Sequence, residues 1–360
     1  MRCGLILVGL LAMGLVPISA QEASPLSRAR QLEAANRLED ANELLSEYAR
    51  RNPGDAAVLV ELGRVQMRQR LSDDAMRSFA SALTIDPKLK AAQEGEVKAA
   101  VASALADRNA GDNDGALSCL VRALKLVPDS TELLLDFGIQ ADAMRIYQDA
   151  DKALTRARAL APEDAKILYA LAHVQLDEQK MGEAEKNLRA YLKMRPEDAS
   201  AHYGLGHLLH MMVRDDEAKV ELERSIALAP QQTESYYELG EISLERHEAK
   251  AAAADYGKVL AANPRHGGAL TGMGILAFRA KDYAAAEKYL SQAVQDAPEY
   301  VEAHQYYGLT LARLGRRDEA ARETALAASL RDQQDKLRHG FHLISPSGGA
   351  AGPDPASGPR

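Results

Sequence analysis

Proline recurs along this chain at a fixed interval. Pro128, Pro162, Pro196, Pro230, Pro264 and Pro298 are each 34 residues apart, and Pro53 and Pro87 are also 34 apart. Only the step from Pro87 to Pro128 departs, at 41. A period of this size marks one supersecondary unit repeated end to end, each unit burying its apolar face against the next. A 34-residue unit has the length of two helices and their turns. The period outranks chain length as a constraint. A 360-residue chain would otherwise imply two or three globular domains, but a stack of repeats has no single centre.

Setting each proline at position 32 gives nine units, beginning at Glu22, Ala56, Val97, Thr131, Ala165, Ala199, Thr233, Gly267 and Val301. Position 20 is then alanine in all nine: Ala41, Ala75, Ala116, Ala150, Ala184, Ala218, Ala252, Ala286 and Ala320. Position 8 is always glycine or alanine, from Ala29 and Gly63 through to Gly308. Positions 4, 7, 8 and 11 share one stripe of a first helix, and positions 20, 24 and 27 share one stripe of a second. Small residues at 8 and 20 let the two backbones approach, while larger ones such as Leu168, Leu171 and Leu188 fill the flanks. Scarce aromatic residues, 5% with no tryptophan, also suit closely packed helices better than sheets.

This pattern resembles the tetratricopeptide repeat. The unit from Ala56 carries it clearly, with Leu59, Leu62, Gly63, Ala75, Phe79, Ala82 and Pro87 at the family's positions. The resemblance spans residues 22–334 and implies an all-α, right-handed superhelical solenoid of about nine helix-turn-helix repeats. It also implies a concave inner face that binds a peptide or protein partner. The carboxylate clamp of chaperone-binding relatives needs Lys and Asn at positions 5 and 9, and no unit here has that pair.

Departures from the pattern carry expectations of their own. Ser24-Pro25 reads as a helix N-cap followed by proline at the first helical position. Pro25 and Arg28 stand where apolar residues belong, as suits a terminal unit with no neighbour to cover. Seven extra residues precede Val97, about two helical turns, which returns the core stripe to nearly the same face. The expectation is a lengthened helix from about Leu89 to Asp107, with Gly95 its weak point. The ninth unit has Asp332 in place of proline, so its second helix is expected to run on to about Arg338 as a cap. The domain reading is therefore a signal peptide over 1–20, a solenoid with its capping helix over 21–340, and a disordered tail over 341–360, rich in Gly, Pro, Ser and Ala.

Residues 1–20 combine Arg2, an apolar run from Leu5 to Val16, and Pro17, Ser19 and Ala20. That order reads as a secretory signal cut after Ala20, and so as an exported protein, periplasmic or secreted. The alternative is an uncleaved anchor, near the short limit for a span. Cleavage leaves one cysteine, Cys119, which forms no intramolecular disulfide and reads as a small helix residue. It also leaves 43 basic and 52 acidic residues, a net charge of −9, which argues against nucleic acid as a partner.

Few residues suggest chemistry. Gly272 and Gly274 fall on repeat positions of a helix with no preceding strand, which excludes a phosphate loop. Asp112-Asn113-Asp114-Gly115 lacks the first ligand and final glutamate of a calcium loop and reads as a turn between helices. His202, His207 and His210 are close in sequence, and His173 lies one repeat before His207. No carboxylate or cysteine completes a ligand set, so no metal or cofactor is expected, and no nucleophile and base take recognisable roles. The informative stripe is at positions 5, 9 and 12. Position 5 is Tyr169, Tyr203 and Tyr237, position 9 is His173, His207 and Glu241, and position 12 is Leu176, His210, Leu244 and Phe278 in successive units. By the resemblance this stripe lines the groove, where tyrosines grip an extended peptide or a helix; alternatively each tyrosine packs between repeats.

The reading is a non-catalytic interaction scaffold in a cell-envelope or secretion-related assembly. Its alternative is a small-ligand or metal-binding periplasmic carrier using His173, His207 and His210. The repeat logic has its own test at position 20. Ala184→Leu is expected to overpack the helix pair and lower stability by ~1–3 kcal/mol, measured by chemical denaturation.

Overall fold

A computed structural model describes residues 24–342 of the chain. The signal segment over 1–20 and the tail beyond 342 lie outside the described residues. The chain divides into two units, residues 1–170 and residues 171–360. The N-terminal unit holds α1 (Pro25–Ala34), α2 (Leu38–Arg51), α3 (Ala56–Arg68), α4 (Ser72–Ile85), α5 (Lys90–Asn109), α6 (Asn113–Leu126), α7 (Thr131–Ala143) and α8 (Tyr147–Leu160). Helix α9 (Ala165–Asp177) carries the boundary. The C-terminal unit holds α10 (Met181–Met194), α11 (Ala199–Met211), α12 (Asp215–Leu228), α13 (Thr233–Glu245), α14 (Ala249–Ala262), α15 (Gly267–Arg279), α16 (Tyr283–Asp296), α17 (Val301–Arg313) and α18 (Arg317–His342). All eighteen elements among the described residues are α-helices.

The core lies in the seams between paired helices. Eight of the position-20 alanines are 0% exposed, and Ala320 is 7% exposed. Opposite them, position 8 packs on position 24. A Cβ on Gly63 would lie 2.7 Å from the Phe79 ring, and one on Gly138 2.4 Å from Leu154. Gly206 meets Leu222, Gly240 meets Tyr256 and Gly274 meets Leu290 in the same way. Leucine, phenylalanine and tyrosine at 24 thus fill space that a small residue at 8 provides, with phenylalanine and tyrosine opposite glycine.

The turn within a repeat recurs in all nine units, and the proline turn between repeats in the first eight. The proline occupies the second place of a β-turn whose fourth residue donates its N–H to the first residue's carbonyl at 3.0–3.3 Å in eight repeats. Its fixed φ suits that place, and it has no N–H to leave unpaired. Position 34 caps the next helix in several repeats, as where Asp55 accepts from Ala57 and Val58, but Leu89, Gln232 and Tyr300 make no side-chain cap there. Inside each repeat, position 15 adopts the left-handed conformation in all nine units, at φ between 57° and 82°. The N–H of position 16 returns to the carbonyl of position 11 at 2.7–3.0 Å, closing the first helix. Only Gly111 and Gly315 are glycine there, and Val213 is the β-branched exception, 84% exposed at φ 60°.

The lengthened helix is present. α5 has 20 residues against 13 in α3 and α7, and it begins just after the Pro87 turn. Gly95 is its close-packing residue: a Cβ there would lie 2.3 Å from Phe79. Ser24 caps α1 through a 3.2 Å bond from the Ser27 N–H, with Pro25 at the first helical position. Two expectations are corrected. Asp112-Asn113-Asp114-Gly115 is the N-cap and first turn of α6, with Asp112 accepting from the Gly115 N–H at 2.8 Å. The last helix reaches His342, past the expected end near Arg338 and into the segment assigned to the tail, because no proline or turn stops it. Cys119 is buried, its thiol donating to the Ala100 carbonyl at 3.4 Å, and burial pushes its pKa up.

One carboxyl inside the N-terminal unit is poorly provided for. Glu96 is 1% exposed, and its Oε2 meets no hydrogen-bond partner among the described residues. Burial pushes its pKa from 4.5 to about 7, while the Arg122 guanidinium pulls the other way. An acid with a raised folded pKa favours folding while protonated. The contribution is full below about 4.5 and is lost as pH rises toward 7.

Two stability measurements follow from these features. Val213→Gly relieves the left-handed valine and is expected to raise stability by about 1 kcal/mol, less the added freedom of the unfolded chain, by chemical denaturation. Glu96→Gln is expected to stabilise by about 1–3 kcal/mol at pH 8 and to have little effect at pH 4, in parallel denaturation series.

Candidate inner-face binding site

The 5, 9 and 12 stripe of the C-terminal unit resolves residue by residue. On α11, Tyr203 and His207 stack, with ring centroids 6.1 Å apart and planes 22° apart. Behind them Glu238 of α13, buried, accepts from His207 Nδ1 at 2.9 Å and joins the two helices. That bond raises the histidine's pKa against the effect of burial, while burial and the charges of Glu238 and Glu234 raise the Tyr203 phenol. The pair is half-buried: its edges face solvent and its orientation is held from behind. His173 lies 3.8 Å from Asp177 with its side chain mostly exposed. Tyr169 falls on the N-terminal side of the unit boundary and is 38% exposed.

One repeat further along, on α13, the same positions pack against the elements that follow. The Tyr237 ring meets His266 at 4.9 Å and Tyr256 at 6.2 Å, and its hydroxyl lies 3.5 Å from that of Tyr300. A Cβ on Gly268 would lie 2.7 Å from the Tyr237 oxygen, and one on Gly272 2.4 Å from the Tyr256 ring. Glu241 accepts from the Tyr256 hydroxyl at 2.6 Å. Burial raises the Glu241 carboxyl, a shift the Tyr256 hydroxyl opposes. Burial likewise raises the Tyr237 and Tyr256 phenols. Leu244 is buried in the same cluster, and Phe278 sets its edge against Tyr283 at 5.6 Å and Tyr306 at 5.8 Å. The tyrosines differ in their neighbours: Tyr203 stacks on His207 of its own helix, and Tyr237 packs against rings of the elements that follow.

The histidines are divided among separate tasks. Among the described residues, no group of three ligands within 4.8 Å holds more than one of His173, His207 and His210. His210 does meet Asp215 and Glu245 at that spacing. Asp215 already accepts from His210 Nδ1 at 3.0 Å, and its other oxygen lies 3.5 Å from the Arg246 guanidinium. His202 acts as a staple instead. At position 4, its Nδ1 lies 2.6 Å from Glu221, and its Nε2 lies 3.1 Å from the carbonyl of Pro196 in the preceding repeat. His304 repeats the arrangement with Glu323 at 2.6 Å and the Pro298 carbonyl at 2.9 Å. These two histidines replace the apolar residue at position 4 and fasten it to the proline turn.

Position 9 carries a second pattern in the N-terminal unit. In the first two units it is Arg30 and Arg64. In the N-terminal unit both reach one buried carboxylate, Glu61, at 3.1 and 3.3 Å. They line a pocket of about 510 Å³ together with residues of the lengthened α5.

Paired antiparallel helices, recurring turns and small-residue seams define an all-α repeat protein of the helix-hairpin class. Within that class the chain belongs to the tetratricopeptide repeat family, whose model matches residues 26–89, 169–233, 237–298 and 271–335. No curated protein matches the chain. Among solved structures it is similar to PilF of Pseudomonas aeruginosa, at 20% identity over 61% of this chain and 99% of that one, with a TM-score of 0.53. It is similar to a chain of the APC/C Cut9–Hcn1 hetero-tetramer at 15% identity, over 86% of this chain and 61% of that one, with a TM-score of 0.53. PilW, a type IV pilus biogenesis factor, matches at 15% identity over 59% of this chain and 98% of that one, with a TM-score of 0.50. These likenesses are of fold.

Proposed function

We propose that the chain is a non-catalytic interaction scaffold that receives a segment of a peptide or protein partner on the inner stripe of its C-terminal unit. The observation that carries this reading is the Tyr203–His207 stack, half-exposed beside wholly buried core positions and held by Glu238 from behind. A tyrosine already oriented offers apolar area and a hydroxyl at little cost in conformational freedom. Tyr169 and His173 extend the exposed surface in sequence, and Tyr237, Glu241, Leu244 and Phe278 form the packed floor from which neighbouring side chains project. Membership of the tetratricopeptide repeat family supports the interaction class.

The reading includes export. The charged, apolar and small-residue order of residues 1–20 supports a role in a cell-envelope or secretion-related assembly. Nucleic acid is not proposed as a partner, given the chain's net charge of −8.

The test is a pull-down from the producing cells. Tyr203→Ala with His207→Gln is expected to lose most of the partner recovered by the parent chain while keeping the parent's helical circular-dichroism spectrum. Recovery equal to the parent's removes the stripe from the function.

A further inference from the structure

The seven residues inserted before Val97 build a pocket that an ordinary repeat does not have. Ala91, Glu94 and Gly95 lie in the extra turns of α5 and form one wall of the 510 Å³ space. The buried Phe79 ring and Met67 supply its apolar surface, and Gly95 lacks a side chain where a Cβ would strike that ring. A space of this size accepts two or three side chains of a ligand.

The charged lining is unevenly matched. Arg30, Arg64, Arg68 and Lys98 face Glu33, Glu61 and Glu94, one cation in excess within a chain of net charge −8. Arg68 is committed to Glu33 at 2.7 Å. Glu61 is shared, taking Arg30 Nε at 3.1 Å and Arg64 Nη1 at 3.3 Å, with its own side chain 9% exposed. One carboxylate with two oxygens leaves most of the N–H groups of two guanidiniums open, and Glu61 holds both in place for a further acceptor. Lys98 makes no ion pair among the described residues.

We propose that this pocket binds a protein segment in which an apolar side chain neighbours a carboxylate. The apolar group lies against Phe79 and Met67. The carboxylate takes the free N–H groups of Arg30 and Arg64 and the Lys98 ammonium. The site lies wholly within the N-terminal unit and does not rest on the tyrosine stripe.

Three fluorescein-labelled decapeptides test it by anisotropy against the full chain: alternating Leu and Glu, alternating Leu and Lys, and alternating Ser and Glu. The Leu–Glu peptide is expected to bind at least ~10-fold more tightly than either control, and more weakly as salt is added. Arg64→Gln with Lys98→Gln is expected to weaken it ~10-fold at an unchanged thermal midpoint, and Lys98→Glu alone to weaken it while leaving the Glu61 pairs intact. Each variant is expected to leave partner recovery through Tyr203 and His207 unchanged. Equal affinity for the Leu–Lys peptide, no binding of any peptide, unchanged affinity in both variants, or binding of octanoate without binding of peptide overturns the proposal.

Discussion

Everything in this molecule depends on how closely two helices approach at position 20. An alanine with no exposed surface admits the partner helix, and a glycine or alanine at position 8 leaves room for the large side chain at position 24. The interlock fixes the distance between the helices of a pair, and that distance sets where every other side chain of the repeat stands. The left-handed residue at 15 and the proline at 32 then aim the chain into its next helix. Their backbone hydrogen bonds recur with the same partners from repeat to repeat, so the geometry survives wide variation in the residues between them.

Because the scaffold is so uniform, chemistry enters where individual repeats depart from it. Histidine shows this well. His202 and His304 replace an apolar residue at position 4 and tie their repeats to the preceding proline carbonyl, whereas His207 at position 9 leans on a carboxylate of the next repeat's first helix and stays half-buried. The same residue type is a fastener at one position and a surface at another. The difference is set by which stripe of the helix carries it and which acceptor lies across the seam.

The two units use the same position differently. Position 9 carries Arg30 and Arg64 early in the chain and His173, His207 and Glu241 later. In the N-terminal unit the arginines converge on one buried Glu61 beside an apolar floor, while in the C-terminal unit the corresponding groups pair with Glu238 or with a tyrosine hydroxyl. The inserted turns of α5 add a wall beside the arginines, and they enter directly after an unaltered proline turn. Two whole turns return the helix to the same face, so the core stripe is kept while new surface is gained.

The amino-acid sequence alone determined the repeat, its register, the helix pairs, the lengthened α5 and the unstopped last helix, because these follow from spacing and from residues with no alternative, proline in a turn and alanine in a tight seam. The left-handed position 15 was hidden, since six non-glycine residue types occupy it over seven units and a backbone angle leaves no mark on composition. Periodicity placed Tyr203 and Tyr237 as equivalents. Only the tertiary structure separated their surroundings, Tyr203 stacked on His207 of its own helix and Tyr237 set against Tyr256, His266 and Tyr300 from other elements. It likewise assembled Arg30, Arg64, Phe79 and Lys98 into one pocket. Burial and hydrogen bonding are set by side chains brought in from other repeats, and a position number records only where a residue lies within its own.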